Sequence, residues 1–306
     1  MPRTPTPTRP RPRTLLIIGG AEDKMGRALV LRRFVRLAGG QKSRIVIIPT
    51  ASSFVDEVVA AYTAVFTRLR AGADIQVVHA PSRAAAHDPE LVARIGNATG
   101  VFFSGGSQLK LSQYYVGTPV GDAIHAAYQA GTVIAGTSAG ASIMSRFMIS
   151  LGDEGLTPRQ RASQLTAGLG LLENVIIDQH FDQRGRYGRL MSLVANSPNL
   201  IGIGIDENTA TEIHDERTMT VLGAGGVFVI DARAAVTDAP DARRGAPLLV
   251  SGAVVHSLPM GATFDLDAAR LIDFVERHPD KDVGGASARE RATPGGPGDA
   301  LRPAST

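Results

Sequence analysis

The sequence predicts an α/β fold: a mostly parallel, doubly wound sheet flanked by helices, with an antiparallel C-terminal extension. Three observations carry that expectation. Short β-branched runs ending in Gly, Ser or acidic turn chemistry recur through the first two-thirds of the chain. Between them lie longer stretches with apolar residues at helical spacing. After residue 208 the helical stretches give way to strand-like runs separated by glycines. Alternation of the first kind implies a parallel sheet covered on both faces, because each crossover needs a helix; the glycine-punctuated end reads as antiparallel strands.

The elements follow in order. "TLLIIGG" (14–20), "RIVIIPT" (44–50), "IQVVHA" (75–80), "GVFFSGG" (100–106) and "TVIAGT" (132–137) read as buried strands. Helical patterns fall at 26–38, 54–71, 88–96, 107–115 and 121–130. "VIIDQHF" (175–181) and "IGIGIDE" (201–207) are two further strands, separated by a helix over 182–196. "TATEIHD", "TMTVLGAGGVFVIDA" and "PLLVSGAVVHSL" form the antiparallel run, and a last helix is expected over 266–277. Residues 1–13, with four arginines and five prolines, read as a flexible leader, and 279–306 as a disordered Gly/Pro/Ala tail. That leaves 14–278 as a single α/β catalytic domain, long enough for a sizeable core.

Composition narrows the function. A net charge of +3 over 306 residues, with part of the excess in the leader, gives little support to nucleic-acid binding. The absence of cysteine excludes disulfides, thiolate catalysis and cysteine-bound zinc. No run approaches the length of a membrane-spanning helix, and the proline-rich start lacks the apolar stretch of a secretory signal. The default reading is a cytoplasmic protein without a metal site.

Reactive groups in an open parallel sheet collect beyond the carboxyl ends of its strands. There the sequence offers "GGAEDK", "PTASS", "SGGSQ", "GTSAG", "DQHF" and "DEN". "GTSAG" places Ser138 at a strand-to-helix turn between small residues, the geometry of a nucleophile elbow. The amide of Ala139, with a second from Gly105 or Gly106 in "SGGSQ", is placed to hold an oxyanion. A serine needs a base, and the base an orienting group. His180 alone among seven histidines ends a core strand in polar company; His79, His87, His125, His214, His256 and His278 do not. Asp206 and Glu207 follow another strand, and since neighbours on a strand point to opposite faces, one of the two is available to His180. Arg184, Arg186 and Arg189 cluster after His180, with glycines at 185 and 188 between them, and suit carboxylate binding, so the substrate is expected to be acidic. Gln108 is placed to orient a substrate amide or carboxylate. "IIGGAEDKMG" lacks any phosphate-loop pattern, and its acids oppose phosphate.

"IIGGAEDK", "FFSGGSQL", "IAGTSAGAS", "DQHFDQRGRYGRL" and "GIGIDENTA", in that order across about 15–260, resemble cyanophycinase, a serine peptidase family related to the aspartyl dipeptidase called peptidase E. The resemblance implies a fold similar to class I glutamine amidotransferase domains, commonly a homodimer, with no metal or organic cofactor. It implies Ser138 as nucleophile, His180 as base and Glu207 as its orienting acid, with Gln108, Asp178, Gln179, Arg184, Arg186 and Arg189 around the substrate. The family's substrate, cyanophycin, is a poly-aspartate chain whose side-chain carboxyls each carry an arginine, cleaved from its end to β-aspartyl-arginine dipeptides. The arginines would then hold carboxylates and Asp178 would meet the substrate's arginine. Ser107 stands where an Asp or Asn is expected. Two alternatives use the same cleft: a peptidase E-like enzyme for short aspartyl or isoaspartyl peptides, or a non-catalytic protein that binds acidic peptides.

Overall fold

The structure is a computed structural model that describes residues 12–274. The tail 279–306 and residues 1–11 of the expected leader lie outside the described residues. Arg13, at the leader's end, pairs with Glu216 at 2.8 Å.

The chain opens with β1 (Thr14–Ile18), α1 (Leu29–Leu37), β2 (Arg44–Ile48), α2 (Val55–Arg68), β3 (Asp74–Val77) and α3 (Pro89–Gly96). It continues through β4 (Gly100–Phe103), α4 (Gln108–Tyr115), α5 (Pro119–Gln129), β5 (Val133–Thr137) and the single-turn α6 (Ala139–Ser142). The five strands run parallel in the order β1-β5-β4-β2-β3, so β5 lies centrally, between β1 and β4. Alternate side chains serve the two faces. Leu15, Ile17, Val46, Val101 and Phe103 pack with α3, α4 and α5 through Ile95, Leu111, Tyr115 and Ile124. Leu16, Ile18, Ile45, Ile47 and Phe102 pack with α1 and α2 through Phe34, Tyr62 and Phe66. Proline at N1 and hydrogen-bonding caps start two of these helices: Asp88 accepts from Glu90 before α3, and Thr118 from Gly121 before α5.

Downstream of the elbow, β6 (Phe147–Gly152) and β7 (Ser163–Ala167) form a hairpin in a stretch to which the sequence reading assigned nothing. Then come β8 (Val175–Gln179), α7 (Tyr187–Asn196), β9 (Ile201–Ile205), β10 (Thr209–His214), β11 (Thr218–Gly223) and β12 (Val227–Asp231). The short β13 (Val236–Thr237) and β14 (Val250–Ser251) precede β15 (Val254–Leu258), β16 (Ala262–Asp265) and β17 (Arg270–Phe274). Two corrections arise here. First, β8 and β9 do not extend the first sheet. They pair in parallel within a separate four-stranded sheet, β15-β12-β9-β8, while β10, β11, β16 and β17 continue the first sheet antiparallel to nine strands. The physical reason is amphipathy on both sides: Ile177, Ile203, Ile205 and Val229 face the core shared with the first sheet, whereas Ile176, Phe181 and Ile230 pack under α7. The run at 218–232 accordingly divides between the sheets at Gly223–Gly226.

Second, the helix expected over 266–277 is a turn over 266–269 followed by a strand: Arg270–Phe274 pairs antiparallel with β16, and 275–277 lie outside the described residues. Leu271 and Ile272 are about half exposed, at 49% and 53%. With no apolar stripe to bury, the segment gains more from the open hydrogen-bonding edge of β16 than from a helix. The helix expected over 182–196 is interrupted: a turn of 3-10 helix spans Asp182–Arg184, Gly185 takes φ 56°, and α7 begins at Tyr187.

The two sheets meet at β1. Gly19, just past β1, lies so close to the Ile205–Asp206 backbone that a Cβ there would stand 2.1 Å from the Asp206 carbonyl oxygen. The chain crosses between sheets at Asp206–Asn208, and His180 leaves β8 at the same junction.

Candidate active site

Ser138 follows the central strand β5 with φ 53° and ψ −113°, a conformation that a non-glycine residue holds only when its surroundings enforce it. Its amide donates to the Ile18 carbonyl at 3.0 Å, and its own carbonyl accepts from Ala141 and Ser142, so the turn is tied to β1 on one side and α6 on the other. The hydroxyl is left half-buried above the sheet.

His180 reaches it from the second sheet. Its backbone also has positive φ, 49°, and its amide donates to the Gly19 carbonyl at 2.8 Å. Nε2 lies 2.9 Å from Ser138 Oγ and Nδ1 lies 2.6 Å from Glu207 Oε1. Glu207 is fixed in turn by its amide, which donates to Gln183 Oε1 at 2.8 Å. The pair 206–207 lies just past the end of β9, in the turn before β10, and its two carboxylates part company there. Asp206 turns away from His180, accepting from the Asp182 amide at 3.1 Å and from the Gly226 amide at 2.9 Å. With Nδ1 bound to a carboxylate, the neutral imidazole carries its proton there and presents Nε2 as acceptor to the serine. Burial holds the His180 pKa below its ordinary value. Glu207 opposes that shift, and the nearby Arg184 and Arg186 charges reinforce it.

The loop after β4 runs alongside. A Cβ at Gly105 would stand 3.4 Å from Ser138 Cβ, so this backbone flanks the hydroxyl directly. Gly106 faces elsewhere, toward the Ala51 carbonyl, and takes φ 138°. Among the described residues the amides of Ala139, Gly105 and Gly106 have no acceptor. Ser107 precedes α4 without capping it, and the Gln108 amide nitrogen is spent on the β6 carbonyls of Ile149 and Ser150 at 3.2 and 3.4 Å.

The arginine cluster differs from the sequence expectation in one respect. Asp178 is buried and engaged from two sides: Arg189 Nε donates to Oδ2 at 2.6 Å with a second bond from Nη2 to Oδ1, and Arg186 Nη1 approaches at 3.4 Å. A substrate arginine would have to displace Arg189 to reach Asp178, so Asp178 and Arg189 form a closed internal pair. Arg186 donates from Nη1 to the Gln179 carbonyl and, at 3.3 Å, to Gln179 Oε1, while its buried Nε has no partner among the described residues. Burial pushes its guanidinium down to about 10, still protonated at neutral pH. Gln179 Oε1 lies 3.4 Å from Ser138 Oγ, and this amide links the arginines to the elbow. Arg184 is exposed beside His180.

Sequence reasoning passed over the other side of the elbow. Glu22, from the "GGAEDK" set aside as unsuited to phosphate, is buried beneath Thr137, whose hydroxyl donates to Glu22 Oε2 at 2.5 Å. Gly20 takes φ 109°, and a Cβ on it would stand 2.3 Å from the His180 ring. Asn208 donates its amide to the Gly20 carbonyl at 2.8 Å and accepts from the Asp23 amide at 2.9 Å. The signal that would have found these residues is strand order: once β1 neighbours β5, the loop after β1 must lie beside Ser138.

Comparison with known proteins places the chain in a family. The family model described as peptidase family S51 matches residues 15–221. The cyanophycinase of Nostoc sp. strain PCC 7120 is 36% identical over 278 residues, 90% of this chain and 92% of the relative. That of Thermosynechococcus vestitus is 34% identical over 254 residues, 82% of this chain and 79% of the relative. Among solved structures, a peptidase from an acI-B1 actinobacterium shares the fold, with a TM-score of 0.60 at 22% identity, covering 84% of this chain and 98% of that one. With more than half its length matched by the family model and a relative above one-third identity along nearly its whole length, the chain belongs to peptidase family S51.

Proposed function

We propose that this protein is a cyanophycinase: a serine exopeptidase that hydrolyses the poly-aspartate backbone of cyanophycin to β-aspartyl-arginine through an acyl-enzyme on Ser138. The observation that carries the reading is the hydrogen-bonded chain Ser138–His180–Glu207, at 2.9 and 2.6 Å. In the first step Ser138 Oγ attacks the backbone carbonyl carbon and its proton passes to His180 Nε2. Glu207 stabilises the imidazolium through Nδ1–H. The tetrahedral oxyanion takes the free amides of Ala139 and Gly105, with Gly106 the more remote donor. His180 then gives the proton to the leaving amine, and a water activated by the same imidazole releases the acyl group. No metal or organic cofactor enters these steps.

The substrate assignment is supported by the cyanophycinases to which the chain is similar along most of its length, and by positive charge beside the hydroxyl. Each cyanophycin unit has its aspartate side-chain carboxyl consumed in the amide bond but keeps the arginine's own carboxylate. The exposed Arg184 is the donor free to meet it, with the buried Arg186 adding its positive charge from behind. Gln179 positions the substrate amide, and Gln108, Asp178 and Arg189 act from behind as support. A cytoplasmic homodimer belongs to the same proposal, with sedimentation of the purified chain as its check.

The test is product analysis by mass spectrometry after incubation with cyanophycin. Release of β-aspartyl-arginine is expected. Cleavage of simple aspartyl dipeptides with none of the polymer would replace this reading by a peptidase E-like one.

A further inference from the structure

A cavity of about 380 Å³ opens onto Ser138, His180 and Gly105; none of the clustered arginines lines it, and apart from those three residues no step above uses its walls. Those walls include Glu22, Lys24, Glu57 and Tyr62. Glu22 is the unusual member, with a side chain only 1% exposed. Its carboxylate accepts from Tyr62 Oη at 2.6 Å and from Thr137 Oγ1 at 2.5 Å. Neutral donors satisfy its lone pairs without cancelling its charge, and a carboxylate so far from water requires a cation. Lys24 supplies one: Nζ lies 2.6 Å from Glu22 Oε1 and 5.1 Å from the centre of the Tyr62 ring. The Lys24 side chain remains about one-third exposed, on a flexible stem at the cavity edge. Glu57, exposed in the first turn of α2, adds a second carboxylate. With His180 neutral, the two carboxylates outweigh the one ammonium and the cavity is net negative.

The hydroxyl thus stands between two fields of opposite sign, with arginines on one side and a carboxylate-and-ring cage on the other. A cyanophycin unit has the complementary pair, one carboxylate and one guanidinium. We propose that the guanidinium of the unit at the scissile bond enters the Glu22–Glu57–Tyr62 cavity, stacks on Tyr62, pairs with the carboxylates and displaces the Lys24 ammonium. A planar guanidinium suits this cage better than the resident amine, because it bonds a carboxylate through two N–H groups while lying flat on an aromatic face. Lys24 keeps the buried charge neutralised until substrate arrives.

The inference rests on cyanophycin as the substrate, so binding and hydrolysis are measured separately. Short cyanophycin oligomers carrying either arginine or citrulline, which keeps the shape and loses the charge, are titrated by calorimetry into the Ser138→Ala protein. The arginine oligomer is expected to bind about tenfold more tightly, as one desolvated charge pair implies. Glu57→Gln should narrow that ratio without changing the citrulline affinity, and Lys24→Gln, by removing the competing cation, should widen it. Glu22 is left intact because its bond to Thr137 also braces the elbow. Equal affinity for the two oligomers, or a ratio that neither variant moves, overturns the proposal. Release of no product by the native protein would instead overturn the cyanophycin reading, and a ratio that still responds to both variants would keep the cavity as a guanidinium subsite.

Discussion

The His180 ring lies against the Gly20 backbone, so close that a single added methyl group would stand 2.3 Å from its Cε1 atom. His180 is therefore placed by the loop after β1 as much as by its own strand. Gly20→Ala must shift that ring or the loop, and it also forces a side chain into φ 109°. The expected outcome is a fall in kcat of about 100-fold or more, because a misplacement near 1 Å has that effect. KM should change much less. Steady-state kinetics on the folded variant checks this; unaltered kcat would show that the ring position is not critical.

The pH profile follows from the environment of His180. In the proposed reaction the imidazole must be neutral to accept the serine proton, and burial together with Arg184 and Arg186 lowers its pKa. The acid limb of kcat/KM, which reports the free enzyme, should therefore lie below the ordinary histidine value. Arg184→Ala removes one repelling charge, so the limb should move to higher pH. If Arg184 acted on substrate alone, KM would rise and the limb would stay in place.

Asp206 holds the turn that carries His180, accepting from Asp182 and Gly226 across the two loops. Asp206→Ala leaves two amides without acceptors and should destabilise the fold by about 2 kcal/mol. It should also lower kcat, since the 180–182 turn loses its anchor. Asp206→Asn retains one acceptor oxygen and should recover part of both. Urea unfolding alongside kinetics separates the effects; a stability loss with native kcat would confine Asp206 to the fold.

Far from the site, Glu212 on β10 gives a stability test. Burial would raise its pKa, but hydrogen bonds from Arg33 and His214 bring it down to about 2. A carboxylate with a folded pKa below its unfolded value contributes stability that is complete above the unfolded pKa and is lost as pH falls through the folded one. That window runs from about 4.5 down to about 2. Arg33→Met should cost about 2 kcal/mol at neutral pH, a figure discounted for the solvent around the partly exposed arginine. The difference from native should shrink as pH enters the window. An equal gap at pH 7 and pH 3 would mean that the pair contributes nothing electrostatic.

How far the sequence discloses the molecule depends on how local the cause is. β1 to β5 and their helices were legible because each carries its own periodicity and ends in turn chemistry. Ser138, His180 and the Asp206–Glu207 pair stood out because each residue type sits at a strand end, while the choice between the two acids rested on the family resemblance alone. The pairing of Asp178 was not legible because a single sequence shows a carboxylate near three arginines without showing that Arg189 holds it. The division into two sheets depends on which edge β8 joins, a long-range choice absent from local spacing. β17 reads as helical because "AARLIDF" is rich in residues of good helix propensity, and the free edge of β16 overrides that preference. Glu22, Lys24 and Tyr62 escaped notice for the same reason: their shared cavity exists only after β1 pairs with β5 and α2 folds over both.

The central claim is that Ser138, His180 and Glu207 work as one hydrolytic unit. Turnover of cyanophycin by the native protein, Ser138→Ala, His180→Ala and the double variant tests it most directly. Each single substitution should lower kcat by about 10³-fold or more, and the double should fall little further, because groups acting as a unit are not additive. Near-native turnover in either single variant, or losses that multiply in the double, would contradict the account.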